Sequence, residues 1–334
     1  MTDVALMGQT MDLPFTVIGG YLGAGKTTLL NHLLTNTAGM RLAVLVNDFG
    51  SVNIDIDLIQ SHDGETMSLA NGCMCCSLVD GFAQAIGEIE KRAGAFDHLV
   101  IEASGVALPA KIAQYGQMYR LPLDGILVVV DAEQVRTQAE NKYVGDTVLR
   151  QLAQADLLIL NKTDLVPPED LAGLRAWLAE RSPGTPVLET VRAEVPLEVL
   201  LGARGDRGKG RGPAPDQQGH DHAHADQDHA GAYRTWTLER AAPLTRAELE
   251  GLAAGLGSDI YRAKGFVHLA NDPDRRQVYQ QVGARWSLEP GAAWGASPGR
   301  TQLVVIGRAG AAPPEALGRL FAPAIPVTSA TRAC

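Results

Sequence analysis

Over roughly the first 200 residues, short apolar runs rich in β-branched residues alternate with longer stretches whose apolar positions recur at helical spacing. The runs Phe15–Ile18, Leu42–Val46, His98–Ile101, Ile126–Val130 and Leu157–Leu160 predict strands, and Lys26–Leu34, Leu78–Arg92 and Glu169–Ala179 predict helices. Strand and helix taking turns in this way predict an α/β unit, a parallel sheet with helices on both faces.

The pattern stops at Gly202–Ala232, which is rich in Gly, Asp and His and nearly devoid of large apolar residues. Such a stretch is expected to be a flexible linker. Periodicity resumes with a strand at Tyr233–Leu238 and a helix at Arg246–Leu256. Strand-like runs follow around Gly265–Leu269, Gln277–Val282 and Leu303–Ile306, with a helix after Pro314. This predicts a smaller α+β domain with an antiparallel sheet. The expected division is 1–201, linker 202–232, 233–326 and a tail 327–334, with no internal repeat.

A length of 334 residues suits two domains, and 46% hydrophobic against 20% charged residues suits a sizeable core. Lys+Arg 29 against Asp+Glu 38 gives a net charge of −9, which argues against a phosphate-backbone footprint on nucleic acid. No apolar run approaches the roughly 18 residues of a membrane span. The first basic residue is Lys26, so a charged signal-peptide start is missing and a cytoplasmic location is expected. Three of the four cysteines, Cys73, Cys75 and Cys76, crowd into four positions, which suits metal thiolates in a reducing compartment better than disulfides.

The first strand runs into Gly20-Tyr-Leu-Gly23-Ala24-Gly25-Lys26-Thr27-Thr28, which has the GxxxxGK[ST] spacing and leads straight into a helical pattern. In this context the glycines let successive N–H groups face phosphate oxygens. Lys26 reaches the β/γ-phosphates, and the Thr27 hydroxyl can ligate Mg²⁺. The strand Leu157–Leu160 ends in Asn161-Lys162-Thr163-Asp164, the NKxD guanine motif. A carboxylate at Asp164 can accept from guanine N1–H and the 2-amino group, a donor pair that adenine lacks. At the end of a third strand, Glu102-Ala-Ser-Gly105 places a carboxylate at a sheet edge where ligands bind; Glu102 could serve Mg²⁺ or a water, and Gly105 would let backbone approach a γ-phosphate.

Gly72-Cys73-Met74-Cys75-Cys76 offers three soft ligands suited to Zn²⁺, Cu(I) or Co²⁺, with a redox-active or buried cysteine set as the alternative. His220, His222, His224 and His229 form a His/Asp tract that suits metal capture or buffering, or is simply a solvated linker. His32, His62, His98 and His268 stand alone and read as packing or surface residues.

These motifs, in this order, resemble the CobW-type GTPases, a metallochaperone branch of P-loop proteins related to the nickel-insertion GTPases. The resemblance rests on Gly20–Thr28 with Leu29-Leu30-Asn31-His32 behind it, Asn47-Asp48-Phe49-Gly50, and the CxCC box Gly72–Cys76. Glu102–Gly105, Asn161–Asp164 and Arg262-Ala263-Lys264-Gly265-Phe266 complete it, over nearly the whole chain apart from the ends and the linker. Asp48 stands where many members carry Glu, and is carried as a further metal ligand. The resemblance implies a GTPase that binds a transition metal at CxCC, answers to nucleotide through its switches and delivers the metal to a client metalloprotein. Zinc is the preferred metal and cobalt the second, including a cobalt role in cobalamin synthesis or metalloenzyme activation. The expected reaction is slow hydrolysis of GTP, with Lys26 and Glu102 as catalytic residues. A non-catalytic zinc buffer and a small-molecule kinase remain as alternatives, and self-association stays open.

Overall fold

The computed structural model describes residues 13–46, 66–68, 78–92, 94–202, 233–295 and 297–321. The chain forms two units: the first runs to Leu201 and includes Val282–Arg285, and the second is the remainder. In the first, the elements are β1 (Phe15–Gly19), α1 (Lys26–Thr35), β2 (Leu42–Val46), β3 (Thr66–Ser68), α2 (Leu78–Lys91), β4 (His98–Glu102) and α3 (Pro109–Met118). There follow β5 (Leu123–Asp131), α4 (Val135–Glu140), α5 (Gly145–Ala153), β6 (Leu157–Asn161), α6 (Pro168–Arg181), β7 (Val187–Glu189) and α7 (Leu197–Leu201).

The strands form one sheet of order β3-β2-β4-β1-β5-β6-β7, parallel throughout. Every residue of β1, β2, β4 and β6 is buried, as strands covered on both faces must be. Phe15, Val17, Leu45, Leu99, Ile101, Val128, Leu158 and Leu160 fill the core, with Phe82, Ile86 and Ile89 from α2 and Leu174 and Leu178 from α6 packed on it. A buried polar cluster interrupts it: Thr16 Oγ1 lies 2.9 Å from His98 Nε2 and donates to Asp124 Oδ2 at 3.3 Å. His98 is thus an interior packing residue. Because the strands are parallel, Gly19, Val46, Glu102, Asp131, Asn161 and Glu189 all end on one rim, where open α/β sheets bind ligands.

Apart from Val282–Arg285, the second unit holds β8 (Tyr233–Arg240), α8 (Arg246–Gly255), β9 (Ile260–Leu269), β10 (Asp272–Val282), β11 (Arg285–Ala293), β12 (Thr301–Arg308) and α9 (Glu315–Leu320). Its sheet order is β11-β10-β9-β12-β8, with β12 antiparallel to both β8 and β9. The fold is therefore the α/β sheet with a smaller antiparallel α+β unit. Helix α8 starts at a capping box: Thr245 Oγ1 accepts from the Glu248 N–H, and the Glu248 carboxylate accepts from the Thr245 N–H. That backbone bond holds the Glu248 carboxyl below its usual range. Trp236, Leu238, Leu249, Leu252, Val267, Tyr279, Leu303 and Val305 make the core of this unit.

Within Arg262-Ala263-Lys264-Gly265, Ala263 pairs with Val305 and Gly265 with Leu303 across β9 and β12. A Cβ on Gly265 would lie 2.0 Å from the Gln302 carbonyl oxygen, so only glycine lets the strands approach this closely. Gly265→Ala should cost about 1–3 kcal/mol, read as an earlier transition of the full chain in urea. An unchanged midpoint would mean that β9 and β12 part without penalty. Among the described residues, no helix is long and apolar enough to cross a membrane.

Candidate nucleotide site

The loop after β1 reverses into α1 through Gly25, whose φ of +108° L-residues rarely adopt; a Cβ there would also lie 2.4 Å from Asn161 Nδ2. Gly25 caps α1 without any side-chain bond, so the first-turn N–H groups of the helix are left to face the rim. They open on a cavity of about 350 Å³ lined by Gly23, Gly25, Lys26, Thr27 and Thr28 on one side and Glu102 to Gly105 on another, with Leu22 and Val46. Lys26 is buried, and its Nζ donates to the Tyr21 carbonyl at 3.3 Å. Thr27 Oγ1 donates to Glu102 Oε1 at 3.2 Å, which brings a hydroxyl and a buried carboxylate together as hard oxygen donors. That donor set fits Mg²⁺.

Gly105 lines the cavity beside the phosphate loop. A Cβ there would lie 2.5 Å from Leu22 Cδ2, so the space that glycine leaves is taken by the Leu22 side chain of the phosphate loop. A side chain at 105 would collide with the phosphate loop.

Asn161, Lys162 and Asp164 do not line the cavity; Asn161 is joined to it through the phosphate loop. Buried Asn161 donates from Nδ2 to the Ala24 carbonyl at 2.9 Å and accepts at Oδ1 from the Ala193 N–H at 2.7 Å. One side chain thus ties the phosphate loop to the loop after β7. Lys162, with φ +61°, places Nζ 2.6 Å from Asp131 Oδ2, while Asp131 Oδ1 accepts from the N–H groups of Glu133 and Gln134. Asp164 stands exposed on the 3₁₀ turn Thr163–Leu165. The motif reading missed Asp131 and the Thr190–Glu194 loop. The first is visible only as an Asp closing an apolar strand, and the second, with φ +53° at Arg192 and +56° at Ala193, has no sequence signature. Asp48, Cys73, Cys75, Cys76, His220, His222, His224 and His229 lie outside the described residues. Among the described residues no group of three or more His, Cys, Asp or Glu is arranged to hold a metal ion.

A parallel sheet whose central strand delivers a GxxxxGKT loop to a helix N-terminus, with an Asn-Lys-x-Asp turn tied to that loop, defines a P-loop GTPase. The CobW/HypB/UreG nucleotide-binding domain model matches residues 14–189, and the cobalamin synthesis protein cobW C-terminal domain model matches residues 233–325. The chain belongs to the CobW/HypB/UreG family. It is 35% identical to the zinc chaperone CobW of Pseudomonas aeruginosa, over 89% of this chain and 88% of that protein. It is 29% identical to the zinc chaperone YjiA of Escherichia coli, over 87% of this chain and 93% of that one. Against the crystal structure of Zn(II)-bound YjiA GTPase from E. coli, the identity is 25% and the TM-score 0.44, over 89% of this chain and 94% of that one.

Proposed function

We propose that this chain is a GTP-driven zinc metallochaperone that loads zinc at Cys73, Cys75 and Cys76, with Asp48 as a further ligand, and passes it to a client metalloprotein. The observation that carries the reading is the near full-length similarity to two proteins named zinc chaperone CobW, at 35% and 32% identity. The cavity supports the nucleotide half. Lys26 and the N–H groups of the phosphate loop neutralise the β/γ-phosphates, and Asp164 reads guanine from its exposed turn. Thr27 and Glu102 would hold Mg²⁺, which supplies charge neutralisation at the transferring phosphoryl group. Glu102 also orients the attacking water in this reading. His220, His222, His224 and His229, in the 202–232 segment, act as accessory zinc ligands, between a nucleotide domain ending at 201 and a C-terminal domain covering 233–326.

Loading and release require nucleotide and metal to be coupled. Zinc competition titrations against a chelator of known affinity, with Mg²⁺ and either GDP or a non-hydrolysable GTP analogue, should give affinities that differ by about 5- to 150-fold. The reverse experiment should show zinc tightening the analogue, relative to GDP, by the same factor. Cys75→Ala should remove the tight site and with it the difference. Equal zinc affinity in both nucleotide states leaves a zinc store without a cycle.

A further inference from the structure

Gln151 lies on α5 and is only 1% exposed, and its side-chain amide is spent away from its own helix. Nε2 donates to the carbonyl of Gly105 at 3.0 Å and to that of Ala107 at 2.8 Å. Three residues on, at the end of the same helix, Gln154 Oε1 accepts from the Ala110 N–H in the first turn of α3 at 3.1 Å. Positions three apart share a helix face, so both glutamines grip the segment 105–110 that leaves the end of β4.

That segment is a turn closed by the Ala107 N–H on the Ser104 carbonyl at 2.9 Å. A peptide unit is planar and trans, so fixing the Ser104 carbonyl also fixes the direction of the Gly105 N–H. Ser104 and Gly105 both line the phosphate cavity. An apolar side chain of similar length would fill the space under α5 equally well, and a buried primary amide is unfavourable unless its bonds are made. Packing alone therefore does not ask for glutamine here; the two carbonyls do.

We propose that Gln151, assisted by Gln154, is a positioning residue for the γ-phosphate end of the site: by holding the Gly105 and Ala107 carbonyls, it keeps the turn after Glu102 in the shape that meets the terminal phosphate. The proposal rests on reading this cavity as the phosphate site of GTP. Binding that must first order a loop loses affinity to that ordering, and GDP, which has no γ-phosphate, escapes the loss.

The test is made on the full chain with Gln151→Met, which keeps the length and removes both donors. Titrations with GDP and with a non-hydrolysable GTP analogue, each with Mg²⁺, are combined with single-turnover GTP hydrolysis. GDP affinity should stay within about 2-fold of wild type, while the analogue binds about 5- to 10-fold more weakly and turnover slows about 10-fold. Gln154→Met, at a half-buried position, should shift the analogue-to-GDP ratio the same way by about 2- to 3-fold. Equal loss for GDP and the analogue, in step with a lower melting temperature, assigns Gln151 to packing and overturns the proposal. A wild-type ratio in both variants does the same. Should Gln151→Met fail to fold, the Gln154→Met ratio decides alone. Wild-type protein that does not hydrolyse GTP removes the underlying reading of the cavity as well, whatever the variants do.

Discussion

Lys26→Ala is expected to slow GTP hydrolysis by about 100- to 1000-fold while shifting the melting temperature little. Phosphoryl transfer is catalysed mainly by positioning and by fixed charge, and removing one preorganised charge from a water-poor site typically costs that much. Lys26 is such a charge: it opens α1, lines the cavity, and is held against the Tyr21 carbonyl by its own loop. Its ammonium takes no part in the apolar core of the first unit, which is why fold and activity should separate. Phosphate release followed beside a circular-dichroism melt makes the comparison. A variant retaining more than about a tenth of wild-type turnover takes Lys26 out of the chemistry.

Asn161→Ala should strike both affinity and stability. Its amide satisfies the Ala24 carbonyl and the Ala193 N–H at once, and each buried group left unpaired costs about 1–3 kcal/mol. The expected total is a loss of about 2–6 kcal/mol in unfolding free energy. GTP and GDP should weaken together, by about 100-fold, because the phosphate loop that both contact loses its tie to the loop after β7. This equal loss contrasts with the unequal loss expected for Gln151→Met, and calorimetric titration of the two nucleotides distinguishes them. Nucleotide affinities near wild type would show that the phosphate loop holds its shape without Asn161.

Much of the fold was legible because parallel strands buried on both faces are written as short apolar runs. Leu42–Val46 falls where the sequence pattern places it, and the other runs of the first unit extend by only a few residues at one or both ends. Strand β11 was not legible. Arg285–Ala293 carries Pro290 and Gly291 and lacks a continuous apolar run, features that an edge strand tolerates and a central one does not. In the site, motif spacing names the residues that face ligand but is silent about those that hold them. Gln151 is an ordinary glutamine on an amphipathic helix, and Asp131 a single aspartate after valines; only tertiary contact gives either one a task. Gly105 was legible as a glycine the loop requires, yet the neighbour that crowds it is Leu22, 83 positions away in the chain and invisible to any local pattern.

The central place of β1 has a consequence for how the chain is made. The strand ends at Gly19, and its two neighbours, β4 and β5, begin at His98 and Leu123. At about 5–20 residues per second of synthesis, Phe15–Gly19 waits on the order of 5–20 s before both of its edges can be paired. A product that stops short of Asp131 keeps this five-residue apolar strand without its full set of partners, so it is the nascent chain that most needs protection from aggregation.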